Sequence, residues 1–271
     1  MKIAIKHQTK YYFNEKLPKL VQSLKLFPSI CSNQKVIDWR INSNEGAIIN
    51  SYQDSLGHKI YNLYIENIVG EQIICSSGII DTKDLNGVIS GLIEKVHPFC
   101  FLRETNLTKT SKNIIKISKN IKNKNNKIKF CHNLNSAVYK SIKYVSQSTS
   151  IETNASAAIN QGKGVCQDFA HILISSARYN DIPARYINGY LLDNTLDNKN
   201  SIHTTHAWVE LYINDLGWVG FDPSHNKCID DKYIRISCGF DALDASTIKG
   251  IKTNYYGKEA LNVNLSINAC Q

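Results

Sequence analysis

Three residues able to carry out covalent acyl chemistry follow one another along the second half of the chain: Cys166, His206 and Asp222. A thiol reacts as its thiolate. A free cysteine titrates near ~8.5, and a helix N-terminus or a neighbouring imidazolium lowers that to roughly 3.5–7.5. Cys166 lies in GKGVCQDFAH, behind Gly162 and Gly164 and at the head of a helical pattern. Glycine permits the tight turn needed to present a side chain at a helix start. The unpaired amides of the first turn would then point toward the sulfur and could hold the oxyanion of a tetrahedral intermediate. Gly164 and Gln167 are accordingly candidates for an oxyanion site or its wall. A cysteine at a helix start is more often packing than catalysis, so its partners decide.

His206 opens HAWVELYI and Asp222 closes GWVGFDP, two strand-like segments joined by a short turn. Adjacent strands can set the two side chains side by side. The carboxylate then fixes the imidazole tautomer, and the other ring nitrogen faces the thiol, giving nucleophile, base and orienting group. Ala207 is small enough for close approach, and Trp208 is a candidate wall against water.

Other candidates have weaker claims. His203 lies three residues before His206, and strand positions three apart face opposite sides, so it is expected in a loop role. His171 falls well round the helix from Cys166 and is expected in the core. Asp168, in the first helical turn, complements the helix dipole. Cys131, His132, Cys166, His203 and His206 supply ligand types for zinc, but their spacing matches no short zinc pattern and leaves Asp222 without a role. No metal and no cofactor is expected.

The elements needed to position the trio can be read around it. VCQDFAHILISSARYN places Phe169, Ala170, Leu173 and Ala177 at intervals of three and four, predicting a helix packed on one side that ends before Pro183. ARYINGYLL, HAWVELYI and GWVGFD read as strands, with a turn at Asn214–Gly217. Upstream, NIIKISKNI and NSAVYKSIKYVSQ carry helical spacing, the second through Val138, Ile142 and Val145. The stretch STSIETNASAAINQGKG reads as a surface loop. Before residue 80, IAIKHQTKYYF, LVQSLKLFP, VIDWRI, GAIINSYQD, KIYNLYIEN and QIICSSGII read as six short strands separated by turn residues. LNGVISGLIEKVHP fits a short helix or a connecting strand. YIRISCG and ALNVNLSIN add strand-like segments at the end. Helices followed by strands make an α+β protein: an N-terminal antiparallel, sandwich-like β domain over 1–85, then a core of helices on an antiparallel sheet over 86–271 with a C-terminal strand extension.

Composition bounds the rest. The chain has 271 residues, 42% of them hydrophobic, enough for substantial cores. No apolar run approaches the roughly 20 residues of a membrane span. MKIAIKHQTKYYF lacks the apolar block of an export signal, so a cytoplasmic location is expected. Eight cysteines are scattered without a CxxC pair, which argues against a disulfide framework or zinc ribbon. Part of the net charge of +9 comes from the lysine-rich segment 108–129. An acidic partner could dock there, but a solvated helix face accounts for it. The segment lacks the arginines and aromatics common in nucleic-acid grooves.

GVCQDFAH, IPARYINGY and HAWVELYINDLGWVGFDPS, in that order, resemble the transglutaminase-like superfamily, specifically its bacterial branch. HQTKYYF and LKLFP resemble that branch's N-terminal β domain, and YIRISCGFDALDASTIKG is similar to a segment the branch carries after its catalytic aspartate. The resemblance implies a papain-like core in which Cys166, His206 and Asp222 are nucleophile, base and orienting group. It also implies amide-bond chemistry on a peptide or protein through a thioester. Water would make the enzyme a peptidase, isopeptidase or amidase, and an amine would make it a crosslinker; a non-catalytic binding module keeping the fold is the remaining reading. Two departures stand out: Pro223-Ser224-His225 where the family usually has Pro-Thr-Asn, and Phe240 where an arginine is common. His225 could alter the polarity around Asp222.

Overall fold

A computed structural model describes residues 1–119, 121, 125–192 and 205–270. Two long strands organise the first layer. β1 (Lys2–Leu24) is followed by β2 (Gln34–Ser43), β3 (Ala47–Gln53) and β4 (Lys59–Thr82). The six short strands expected here are four, because β1 and β4 run through the punctuation that suggested turns. Pro18 and Gly70 mark an irregularity rather than a reversal: pairing of Phe13 with Gly70 resumes at Leu17 with Ile68. Asn67 and Gly70 both adopt positive φ there. A bulge tolerates a proline, which has no N–H for the ladder. The turn at Asp54–Gly57 forms as expected, with the Gly57 amide donating to the Asp54 carbonyl at 3.1 Å.

The connection to the second layer contains the two-residue strand β5 (Val88–Ile89), which resolves the ambiguous 85–98 segment as extended chain, and a 3-10 turn at Pro98–Leu102. The helices follow: α1 (Lys112–Lys119) and α2 (Lys127–Ser141). Ile114 is buried, while Lys112, Lys116, Lys119, Lys127 and Lys129 point to solvent. The helix expected to continue to Val145 stops at Ser141, and β6 (Lys143–Tyr144) takes over in extended form. Its backbone is claimed by β7 (Lys163–Gly164): the amides of Lys143 and Val145 donate to the carbonyls of Gly162 and Gly164, each at 2.9 Å. Between them, the expected loop contains a helix, α3 (Ala155–Gln161). The Asn154 side chain caps its start, Gly162 (φ 65°) closes its end, and Ala155 and Ala158 are fully buried.

The helix α4 (Cys166–Tyr179) runs through the centre of the domain. Residues 168–178 are all buried. It is therefore enclosed on every side rather than packed on one, with α1, α2 and α3 around it and β8 (Ala184–Leu191) and β9 (His206–Ile213) beneath. Its buried polar groups need partners. Arg178 donates to the carbonyls of Phe101, Ala184 and Phe240 and to the Thr108 hydroxyl. His171 accepts from the Ala242 amide at 3.2 Å.

The second sheet is completed by β10 (Gly217–Asp222), β11 (Lys227–Cys228) and β12 (Tyr233–Gly239) in the order β11-β10-β9-β8-β12, with β5 on β10. All of these pairings are antiparallel. On β9 the fully buried Glu210 is gripped by Arg185 (2.5 Å) and Arg235 (2.8 Å). Burial pushes the Glu210 carboxyl upward, but the two guanidiniums outweigh it and hold the group below its ordinary range.

The division at residue 85 does not follow the sheets. The last two strands, β13 (Ile248–Thr253) and β14 (Glu259–Ala269), pair with β1 in the first sheet. The first layer thus takes strands from both ends of the described chain. One part of its apolar face (Ile3, Ile5, Ile80, Leu265, Ile267) packs on Tyr190, Ile234 and Ile236 of the second sheet. Another part, around Phe13, Leu17, Leu63 and Ile65, encloses its own core. The class is α+β. Among the described residues no helix is long and apolar enough to cross a membrane.

Candidate active site

The site lies where the N-terminus of α4 meets the ends of β9 and β10. Cys166 is the first residue of α4, behind Val165 in extended conformation. Gly162 takes positive φ with open space around it, so conformation is what requires glycine there. At Gly164 the requirement is space: a Cβ would lie 2.6 Å from the Asp168 Cβ. Asp168 itself accepts from the Val165 amide (2.8 Å) and the Thr149 hydroxyl (2.6 Å), tying the turn before Cys166 to the first helical turn. Burial pushes its carboxyl pKa up against those bonds.

His206, at the start of β9, donates from Nε2 to Asp222 Oδ2 at 2.7 Å. Cys166 lies near enough to the same ring to act on its titration. With Nε2 spent on the carboxylate, Nδ1 is the nitrogen left for the sulfur. Cys166, His206 and Asp222 therefore gather at the N-terminal end of α4. Burial lowers the His206 pKa, but the bond to Asp222 and the neighbouring Cys166 outweigh it and push it up to about 10.

Asp222, fully buried at the end of β10, is held at both oxygens. Oδ1 accepts from the Ser224 amide (2.9 Å) and hydroxyl (2.7 Å) and from the His225 amide (3.2 Å). Oδ2 accepts from His206, from His225 Nδ1 (2.8 Å) and from the Tyr233 hydroxyl (2.8 Å). Burial raises this carboxyl, but the bonds from His206 and His225 hold it well below the ordinary carboxylate range.

The other expected residues fall as follows. Trp208 is fully buried, its ring 6.4 Å from that of His206 and 5.4 Å from that of Tyr233. Gln167 directs its amide to the Ser150 carbonyl at 3.5 Å. Gly164 is buried behind the thiol. His171 is in the core, where burial lowers its pKa to about 4. His203 lies outside the described residues. Cys131 is buried among the helices and His132 packs against the Phe221 ring, 5.2 Å between centroids. Among the described residues one group has the spacing of a metal site: His206, Asp222 and His225.

Sequence reasoning missed Tyr233 and Ser224 as partners of Asp222. Ser224 carried a usable signal, since a hydroxyl two residues after an aspartate commonly closes a local turn on it. Tyr233 carried none, because its role depends on β12 returning beside the site.

The comparisons bear on the family and the fold. Residues 115–223 match the transglutaminase-like superfamily core, and residues 3–81 match the bacterial transglutaminase-like N-terminal region. The chain is 23% identical over 278 residues to the uncharacterized protein ML0607 of Mycobacterium leprae, covering 98% of this chain and 97% of that protein. It is 32% identical over 131 residues to the uncharacterized protein Rv2569c of Mycobacterium tuberculosis, covering 46% of this chain and 42% of that protein. Among solved structures it is similar to a candidate cysteine protease from Cytophaga hutchinsonii (TM-score 0.75, 22% identity, 99% of this chain and 90% of that one). With both layers matched in order, the chain belongs to the transglutaminase-like superfamily and carries the N-terminal region of its bacterial members.

Proposed function

We propose that the protein is a cysteine-dependent enzyme acting on amide bonds. The observation that supports the reading is the His206–Asp222 hydrogen bond, with Cys166 beside the same imidazole at a helix N-terminus. The sulfur attacks the carbonyl carbon of the amide, and amides of the first helical turn receive the developing oxyanion. His206, in its imidazolium form, gives its proton to the leaving amine as the C–N bond breaks. A thioester on Cys166 remains. Water, deprotonated by His206, adds to it and releases the acid and the thiol. Asp222 keeps the imidazole oriented and its charge compensated throughout.

Hydrolysis of a peptide or isopeptide amide is the favoured outcome. The fold shared with the Cytophaga hutchinsonii protein is compatible with it. Transfer to an amine would use the same thioester.

Labelling with iodoacetamide near neutral pH tests the reading. Cys100 is exposed, and Cys31, Cys75, Cys228 and Cys270 are partly so. Selective, fast modification of Cys166 is expected over all of these. Cys238 also has a histidine beside it: burial raises its pKa, but Arg235, Arg185 and His58 bring it down to about 7. It is fully buried and should stay unlabelled. Cys166 labelling no faster than Cys100, together with no turnover of an amide library by wild type relative to Cys166→Ala, would refute the reading.

A further inference from the structure

His225 is the group near the centre that the proposed reaction does not use. It is a surface residue, its side chain 43% exposed, yet its Nδ1 points inward to the fully buried Asp222. Two imidazoles thus spend a ring nitrogen on one carboxylate oxygen. One ligand atom from each of His206, Asp222 and His225 can be chosen so that all three lie within 4.8 Å of one another. The carboxylate is already oriented by Ser224 at its other oxygen and by the Tyr233 hydroxyl. Outer partners of this kind fix ligand geometry in metal sites.

We propose that His206, Asp222 and His225 bind a divalent transition-metal ion, and that the ion silences the enzyme. The ion replaces the two protons that now bridge the imidazoles to the carboxylate. Two imidazoles and one carboxylate suit zinc, cobalt, nickel or copper, whereas calcium and magnesium demand oxygen ligands. Entry is from the solvent side, past His225. Cys166 is not among the three ligands, and water fills the remaining positions. A bound ion occupies the nitrogen through which Asp222 orients His206 and bars that ring from carrying an exchangeable charge. The silencing rests on the proposed reaction. The binding does not.

The test is a titration of chelator-treated protein with Co²⁺, followed by visible absorption and by equilibrium dialysis. One equivalent per chain is expected, displaced by Zn²⁺ and not by Mg²⁺ or Ca²⁺. His225→Asn keeps a polar side chain at an exposed position and should weaken binding at least roughly tenfold. Its folding is checked by circular dichroism. Cys166→Ala should bind as wild type does. Absence of saturable Co²⁺ binding to wild type, unchanged binding by folded His225→Asn, or loss of binding in Cys166→Ala would each overturn the site. Saturable binding without any fall in Cys166 labelling or turnover would overturn the silencing alone.

Discussion

The rings of His206 and His225 lie 5.3 Å apart, and both donate to the same oxygen of Asp222. The carboxylate is therefore a shared acceptor rather than the private partner of one histidine. Its replacement by an amide should be costly even though the shape is kept. Asp222→Asn is expected to lower kcat by roughly 10²- to 10⁴-fold, because an amide can stabilise the wrong imidazole tautomer and cannot balance an imidazolium. Steady-state kinetics with thermal melts alongside would separate this from misfolding.

The histidine's own titration has a definite sign. Its pKa is raised from the ordinary 6.5 to about 10 in the folded protein. Folding is therefore supported fully below pH 6.5, and that support is lost as pH rises toward 10. The contribution is on the order of a few kcal/mol. Urea unfolding at both ends of this window should show a fall in stability for wild type that His206→Gln lacks, measured with chelator present. A wild-type profile identical to that of the variant would rule the coupling out.

Two glycines separate strain from site geometry. Gly164→Ala drives a Cβ into Asp168 at the base of the Cys166 turn. Gly217→Ala strains a hairpin at φ 78° with open space around it. Both should cost about 1–2 kcal/mol. Only the first is expected to slow Cys166 alkylation, by an order of magnitude or more, because it displaces the start of α4.

Under the second sheet, Glu210 balances Arg185 and Arg235 without solvent. Glu210→Ala should destabilise by about 3–5 kcal/mol, since two buried guanidiniums lose their shared partner. Chemical denaturation would read this directly. A loss below about 1 kcal/mol would mean that Glu94, which already bonds Arg185 at 2.6 Å, or water compensates the arginines.

Much of the site could be read from the chain because its signals are local. A glycine pair before Cys166, intervals of three and four through Ala177, and the turn at Asn214–Gly217 each depend on a few neighbouring residues. The features that escaped depend on distant chain. α3 hides in a polar stretch because only Ala155 and Ala158 reach the core. The fusion of six expected strands into four depends on a bulge absorbing Pro18. The early end of α2 is set by hydrogen bonds from the amides of Lys143 and Val145 to the carbonyls of Gly162 and Gly164. The partners of Asp222 beyond His206 come from the turn that follows it and from β12.

The pairing of β13 and β14 with β1 has a kinetic meaning. Ile3 lies opposite Ala269, so β1 waits for a strand synthesised long after it. Until then β1 exposes a backbone edge 23 residues long. The last strand of the second sheet, by contrast, ends at residue 239. Synthesis should thus complete the second sheet before the first is sealed, leaving a late, slow maturation step vulnerable to intermolecular strand pairing.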